Sequence, residues 1–249
     1  MKLSIITATW NSAETLPSTL DSLAKQTNRS FESIVVDGGS TDSTVSIIKS
    51  SSVVCRWISE KDNGIYDALN KGIQMAQGEY VGFMHSDDVF ASDRSVEMLL
   101  AHIDEYNPEA MYADLQYVQK ENLDKVVRYW KSGAFGFNRL KAGWMPPHPT
   151  FYMKKTLYQK YGYFDLSYKI AADYDSLMRY LFVNKISPSY LPEVLVKMRV
   201  GGASNRSLRN IIQKTKEDIS VMKKCGIPVF PATIGKNVSK IPQFFQRLK

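Results

Sequence analysis

Apolar and β-branched residues gather in four short runs near the start of the chain, Leu3–Thr7, Ser33–Val36, Val53–Ile58 and Tyr80–Met84, each of strand length. The segments between them carry a helical period instead. Leu16, Leu20, Leu23 and Ala24 fall at i, i+4, i+7 and i+8, and Pro17 marks the first turn of that helix. Ala68, Leu69, Ile73 and Ala76 define another apolar stripe, which stops at Gly78. The alternation predicts βαβαβαβ over the first 90 residues. A parallel sheet of this kind binds ligands beyond the carboxyl ends of its strands.

Past Asp88 the pattern loosens. It predicts a helix over Arg94–Tyr106, antiparallel strands over Ala110–Val118 and Lys125–Trp130, and a loop over Gly133–Thr150. A helix over Asp173–Asn184 follows, then a strand over Glu193–Val200 that runs into Gly201-Gly202. The last clear element places Leu208, Ile211, Ile212, Ile219 and Met222 on one helical face, with Arg209, Lys214, Lys216, Lys223 and Lys224 mostly on the other. The expected fold class is α/β: one domain over residues 1–204, with a mainly parallel central sheet flanked by helices, then a basic helical extension over 205–249.

At 249 residues and 44% hydrophobic content the chain can bury one large core. Its apolar runs are far shorter than the ~20 residues of a membrane span. No secretory leader is visible, so the expected location is cytoplasmic. Cys55 and Cys225 lack metal-site or redox spacing and read as reduced thiols. The net charge of +7 is uneven: residues 197–249 hold 12 Lys/Arg against two acids, which leaves the remainder at −3. An acidic body excludes a general nucleic-acid binder, whereas a basic end suits phosphates or an anionic membrane surface.

Acids collect where the strands end. Asp37 follows the second run, Glu60 and Asp62 the third, and Asp87-Asp88 the fourth. Any one of them alone reads as a turn or N-cap residue; together they deliver carboxylates to one sheet edge. Such a set suits Mg2+ or Mn2+, which keep waters and share a diphosphate with the protein, and neither His nor Cys spacing points to zinc. A metal bridging a departing nucleoside diphosphate would act as a Lewis acid.

Four blocks, Ser4–Asn11, Val35–Asp42, Asn63–Gly72 and Gly78–Asp88, resemble in order and spacing the successive motifs of family 2 glycosyltransferases of the GT-A fold. The likeness is greatest to bacterial members that build exopolysaccharide, O-antigen and colanic acid. The resemblance implies a nucleotide-binding half over 1–90 and an acceptor-binding half over 91–204. It implies that Thr7 and Asp37 hold the base end of a nucleotide-sugar donor, with Asn11 also in the donor site. It places Asp87 at the ribose or phosphates, and Tyr66, Asp67 and Asn70 along the donor pocket. Asp88 becomes the expected metal ligand, although Ser86-Asp87-Asp88 departs from Asp-X-Asp and leaves open which of Asp87 and Asp88 meets the ion.

The segment Ala171–Asp175 resembles the block that supplies the catalytic base. Asp173 aligns with that residue and is favoured over Asp175, while Ala172 stands where the family usually has Glu. The implied reaction is an inverting displacement onto a hydroxyl of a glycan or polyprenyl-diphosphate-linked acceptor, with UDP favoured in the donor. The resemblance places His148 in a loop that approaches the acceptor or the diphosphate, and its plain alternative is a surface loop histidine. Trp144 is a candidate for stacking on a sugar. Arg199, with Gly201, Gly202 and Ser204, resembles a segment that folds over the donor phosphates. The tail Gly235–Lys249 mixes cations and aromatics and suits peripheral contact with anionic lipid at the inner membrane face. Two rivals are weighed. A dinucleotide-binding dehydrogenase is excluded because Ala8–Ala13 contains no glycine for close approach of a pyrophosphate. An inactive nucleotide-sugar-binding paralogue rests on Ala172 alone.

Overall fold

The computed structural model describes residues 1–201 and 208–238. Strand β1 (Leu3–Thr9) lies between β2 (Phe31–Asp37) and β4 (Tyr80–Phe83), parallel to both, and β3 (Val54–Ser59) extends the sheet beside β2. Every residue of β1, β2 and β4 is buried, as expected when helices cover both sheet faces. The connecting helices are α1 (Leu16–Ala24), α2 (Thr44–Ser50) and α3 (Ile65–Met75). Pro17 sits in the first turn of α1, where its missing N–H costs nothing. The four predicted strands and the parallel order are therefore present.

The second half turns the sheet mixed. Strand β5 (Val89–Phe90) and helix α4 (Ser95–Tyr106) lead to β6 (Ala110–Val118) and β7 (Val126–Trp130), which pair antiparallel as predicted. Strand β8 (Tyr152–Lys154) and strand β9 (Ser189–Arg199) complete the order β3-β2-β1-β4-β8-β6-β9-β5, with β7 attached to β6. At three residues β8 is too short to show a period, yet it joins the two halves by pairing with both β4 and β6. Strand β9 begins at Ser189 rather than Glu193. Its register against β6 jumps from Leu191 to Val194, because Pro192 has no N–H to give a ladder and is pushed into an irregularity.

The expected loop Gly133–Thr150 contains α5 (Phe137–Lys141) and a 3-10 turn at His148–Thr150. After α6 (Lys155–Tyr161), the helix expected over Asp173–Asn184 forms as α7 (Ala172–Leu177), continued by a π-helical turn over Met178–Val183. Helices α8 (Leu208–Cys225) and α9 (Val229–Val238) follow. Gly202, Ser204 and the side chains of the tail from Gly235 onward lie outside the described part.

Two hydrophobic cores form because successive strand residues point to opposite faces. Ile6, Ile34, Val36 and Phe83 pack on one side, and Leu3, Ile5, Val35 and Tyr80 on the other. Val221 and Met222 of α8 and Ala232 of α9 belong to the first core, so the C-terminal helices pack against the same body as the sheet. Ile211 and Ile212, at the start of α8, stay 46% and 56% exposed, so the apolar stripe is buried only toward its end.

Gly82 lies in β4 with the Tyr152 ring against its Cα, and a Cβ there would overlap the ring. Because Tyr152 is fully buried and cannot swing out, Gly82→Ala should cost about 1–3 kcal/mol by overpacking. A urea denaturation midpoint that falls at unchanged slope checks this.

Candidate active site

A cleft of about 1440 Å3 runs along the carboxyl edge of the sheet. Its floor is built from the exits of β1 and β4. Thr9, Trp10, Asn11 and Ser12 line it on one side, and His85, Ser86 and Asp87 on the next. Parallel register brings these exits together, and side-chain bonds lock them. Asn11, in the left-handed region at φ 46°, donates its N–H to Ser40 Oγ at 2.7 Å. Its side-chain oxygen accepts from Thr41 N at 2.9 Å. Ser12 Oγ lies 3.0 Å from Ser86 Oγ.

Several expected donor residues face inward instead of lining this cleft. Thr7 is fully buried with its Oγ1 unpartnered, and Thr9, two residues further along the same face, reaches the rim. Asp37 is also fully buried. Its Oδ2 accepts from Gly39 N (3.2 Å), Ser40 N (2.9 Å) and Ser59 Oγ (2.6 Å), so the carboxylate shapes the turn after β2 and ties it to β3. Asp67 accepts from Asn63 N at 3.0 Å and pairs with Lys71 at 3.6 Å. Asn70 clamps the backbone of Phe164, donating to its carbonyl and accepting from its N–H, both at 2.9 Å. Tyr66 does line the cleft, and its hydroxyl donates to Ile170 O at 2.6 Å and reaches Asp173 Oδ1 at 3.4 Å. Burial, reinforced by the Asp173 charge, holds that phenol well above its ordinary range, so it stays a donor.

Asp87 lines the cleft, whereas Asp88 is buried beside it. Asp88 Oδ1 accepts from Arg199 N at 3.2 Å, and Oδ2 has no partner. Loss of solvent, then the Asp87 charge, raises the Asp88 carboxyl well above the usual carboxylate range. A buried carboxylate with an orphaned oxygen, next to a second carboxylate, fits a divalent cation. Among the described residues no group of three His, Cys, Asp or Glu could hold a metal, so a cation here would need oxygens from substrate and water. Arg199 lines the cleft but is built into its wall. Its guanidinium donates to the carbonyls of Lys120 (3.0 Å) and Asp87 and to Ser18 Oγ (2.9 Å), which fixes the turn carrying both acids.

On the opposite side, Asp173 lies in the first turn of α7 and faces the cleft. Asp175 is fully buried and binds Lys224 at 3.1 Å and Arg179 at 3.4 Å. Only the first of the two acids can meet a ligand. His148 lines the cleft too, but it is not a surface residue: it is 6% exposed and stacked on Phe83 at 5.1 Å. Burial lowers its pKa to about 4, so the ring is neutral at pH 7. Trp144 is 8% exposed, packed on Tyr112 and with the Arg139 guanidinium 4.0 Å above its ring, and presents only part of its surface.

Four cleft-lining groups carry no candidate role in the sequence. His85, with Nδ1 buried and unpartnered, sits inside a recognised motif that draws attention to its acids. Tyr117 and Arg128 are cross-strand partners of β6 and β7, with the guanidinium 4.4 Å over the phenol ring; strand register was the available signal. Gln213 comes from α8, which reads only as an amphipathic helix.

A mixed sheet with its parallel half ending in a carboxylate-bearing cleft is the GT-A architecture. Among solved structures, Staphylococcus aureus TarS 1–349 in complex with UDP-GlcNAc superimposes with a TM-score of 0.72 and 22% identity, covering 96% of this chain and 69% of that one. A longer TarS structure gives a TM-score of 0.70 at 23% identity over 92% of this chain, which spans 41% of its length. The mannosyltransferase PcManGT from Pyrobaculum calidifontis, in complex with GDP-Man and Mn2+, gives 0.66 at 16% identity over 100% of this chain and 76% of its own. Among curated proteins, the PGL/p-HBAD biosynthesis glycosyltransferase of Mycobacterium tuberculosis is 32% identical over 208 residues, 81% of this chain and 78% of the relative. The model of glycosyl transferase family 2 matches residues 4–170. The chain belongs to that family and is a nucleotide-sugar transferase.

Because Asn70 satisfies both polar groups of Phe164, Asn70→Ala leaves a buried donor and acceptor unpaired. It should cost about 1–3 kcal/mol in chemical denaturation while nucleotide affinity by calorimetry changes less than about twofold.

Proposed function

We propose that the chain transfers a sugar, with inversion, from a nucleoside diphosphate donor to a hydroxyl of a glycan or polyprenyl-diphosphate-linked acceptor in bacterial surface polysaccharide synthesis. The observation that carries this reading is that Asp173 and Asp87 line one cleft, with no cation paired with Asp173 among the described residues. Asp173 takes the proton from the acceptor hydroxyl as that oxygen attacks the anomeric carbon, and the nucleoside diphosphate leaves in line. The Tyr66 hydroxyl orients the Asp173 carboxylate. The neutral His148 lies near that carboxylate on the acceptor side without competing for the proton at pH 7. A cleft-facing acid at this position weighs against an inactive paralogue.

UDP is the favoured nucleotide, in keeping with the TarS structures that hold UDP and UDP-GlcNAc. Asp87 and Asp88 would hold Mg2+ or Mn2+, in keeping with a mannosyltransferase of similar fold whose structure is in complex with GDP-Man and Mn2+. When bound, the ion would neutralise charge on the departing diphosphate. No helix among the described residues is long and apolar enough to cross a membrane. A cytoplasmic enzyme whose basic tail touches the inner membrane face accords with a lipid-linked acceptor. Nucleic acid is not a partner in this reading.

Two measurements test it. Asp173→Asn should reduce sugar transfer by at least about 10³-fold while the dissociation constant of UDP with Mn2+ stays within about twofold of the parent. Lost nucleotide binding with normal turnover would reassign the residue. For Asp88 the sign follows from its raised folded-state pKa: the charged form is disfavoured in the fold, so ionisation costs stability once pH rises above the ordinary carboxylate value. Asp88→Asn should therefore raise the melting temperature of the metal-free protein at pH 7 and abolish the further rise that Mn2+ and UDP give the parent.

A further inference from the structure

Helix α8 lies beyond the residues that the family model covers, and its charge suggests an exposed basic surface. One side chain breaks that pattern. Glu217 is 6% exposed, on the helical face turned toward the core. Its Oε1 accepts from Lys169 N at 3.1 Å and from Gln213 Nε2 at 2.8 Å. Its Oε2 accepts from Ile170 N at 2.9 Å and Ala171 N at 2.8 Å. Three consecutive backbone N–H groups thus converge on a single carboxylate. They belong to the segment that leads directly into Ala172 and Asp173.

A carboxylate spends a large desolvation cost to sit in such a place, and the N–H groups compensate it; the Glu217 carboxyl is held below its ordinary range despite its burial. The same segment is gripped from its other side by the Tyr66 hydroxyl on Ile170 O. Ala171 O then accepts from Asp175 N at 2.9 Å and starts α7. Among the described residues, these backbone hydrogen bonds, which lead into α7, run to α3, to α8 and into the helix itself. Gln213 extends the arrangement outward, since it lines the cleft while donating to Glu217.

We propose that Glu217 is a positioning residue for sugar transfer: by holding the N–H groups of Lys169, Ile170 and Ala171 it fixes the approach of the Asp173 carboxylate to the acceptor hydroxyl. The assignment rests on the reading of Asp173 as the base. It makes α8 part of the reaction machinery, and it links the cleft surface at Gln213 to the base through two side chains, Gln213 and Glu217.

The test measures transfer rate and nucleotide affinity separately in the full chain carrying Glu217→Ala, Glu217→Gln, Asp173→Asn, or Glu217→Ala with Asp173→Asn. Displacing a reacting group by about 1 Å costs on the order of 100-fold in rate, so kcat for Glu217→Ala should fall by about that factor. The dissociation constant of UDP with Mn2+ should stay within about twofold, because the donor floor is not touched. Glu217→Gln keeps the shape and one acceptor oxygen and should recover part of kcat. In the Asp173→Asn background Glu217→Ala should add little, since the group being positioned is gone. A kcat within about threefold of the parent for Glu217→Ala overturns the proposal, and so does loss of nucleotide affinity in parallel with rate. A Gln variant as damaged as Ala, or a full additional loss in the Asp173→Asn background, overturns it as well. Failure of the underlying reading looks different: Asp173→Asn would then keep its activity whatever Glu217 does.

Discussion

The ladder of backbone hydrogen bonds that holds β1 between β2 and β4 is the constraint on which the site depends. All three strands run the same way, in register from Leu3 opposite Phe31 and Tyr80, so the chain leaves each of them at one edge. Polar groups freed at those exits have only one another and solvent to bind. Asn11 joins the turn at Ser40 and Thr41, Asp37 joins its own turn to Ser59, and Ser12 meets Ser86. The result is a stiff floor whose acids cannot retreat from one another. Burial of Asp88 with one oxygen unpartnered, and then the Asp87 charge beside it, raise its carboxyl above the usual range.

The second half of the chain supplies the facing wall. Strand β8 carries the sheet from parallel to antiparallel pairing within three residues, pairing antiparallel with both β4 and β6, and β9 then lies parallel to β6. Helix α7, from this half, brings Asp173 in its first turn to the cleft. The wall is held by contacts distant in sequence: Tyr66 from α3, Asn70 on Phe164 and Glu217 from α8. The proposed reaction uses both sides at once, with the donor gripped by one and the acceptor proton removed by the other.

Much of this was legible in the residues, for identifiable reasons. Strands buried on both faces read as apolar runs, which is why β1, β2 and β4 follow from pattern alone, while β3, half exposed at the sheet edge, shows itself through its β-branched and aromatic residues. The acids after β2 and β4 are visible because they interrupt those runs. What a linear reading misses is direction. Asp37, Asp67 and Asn70 are in the expected loops and helix, but each spends its side chain on neighbouring backbone. Thr7 and Thr9 share one face of β1, and depth in the sheet separates them, a quantity that spacing does not encode. His148 appears as a loop residue until the aromatic rings of Phe83 and Phe164 close around it. Glu217 carries no local signal for its role, because the backbone groups it holds lie 46 to 48 residues away.

The central claim is that the two halves enclose one nucleotide-sugar site, with the floor at Asn11 and Asp87 and the wall at Asp173. A crystal soaked with Mn2+ and UDP tests it most directly. Difference density for the ion and diphosphate is expected beside Asp87, with the uridine extending along the Thr9–Ser12 turn and room left before Asp173. An empty cleft with nucleotide bound elsewhere on the molecule, at concentrations that saturate binding in solution, would contradict it.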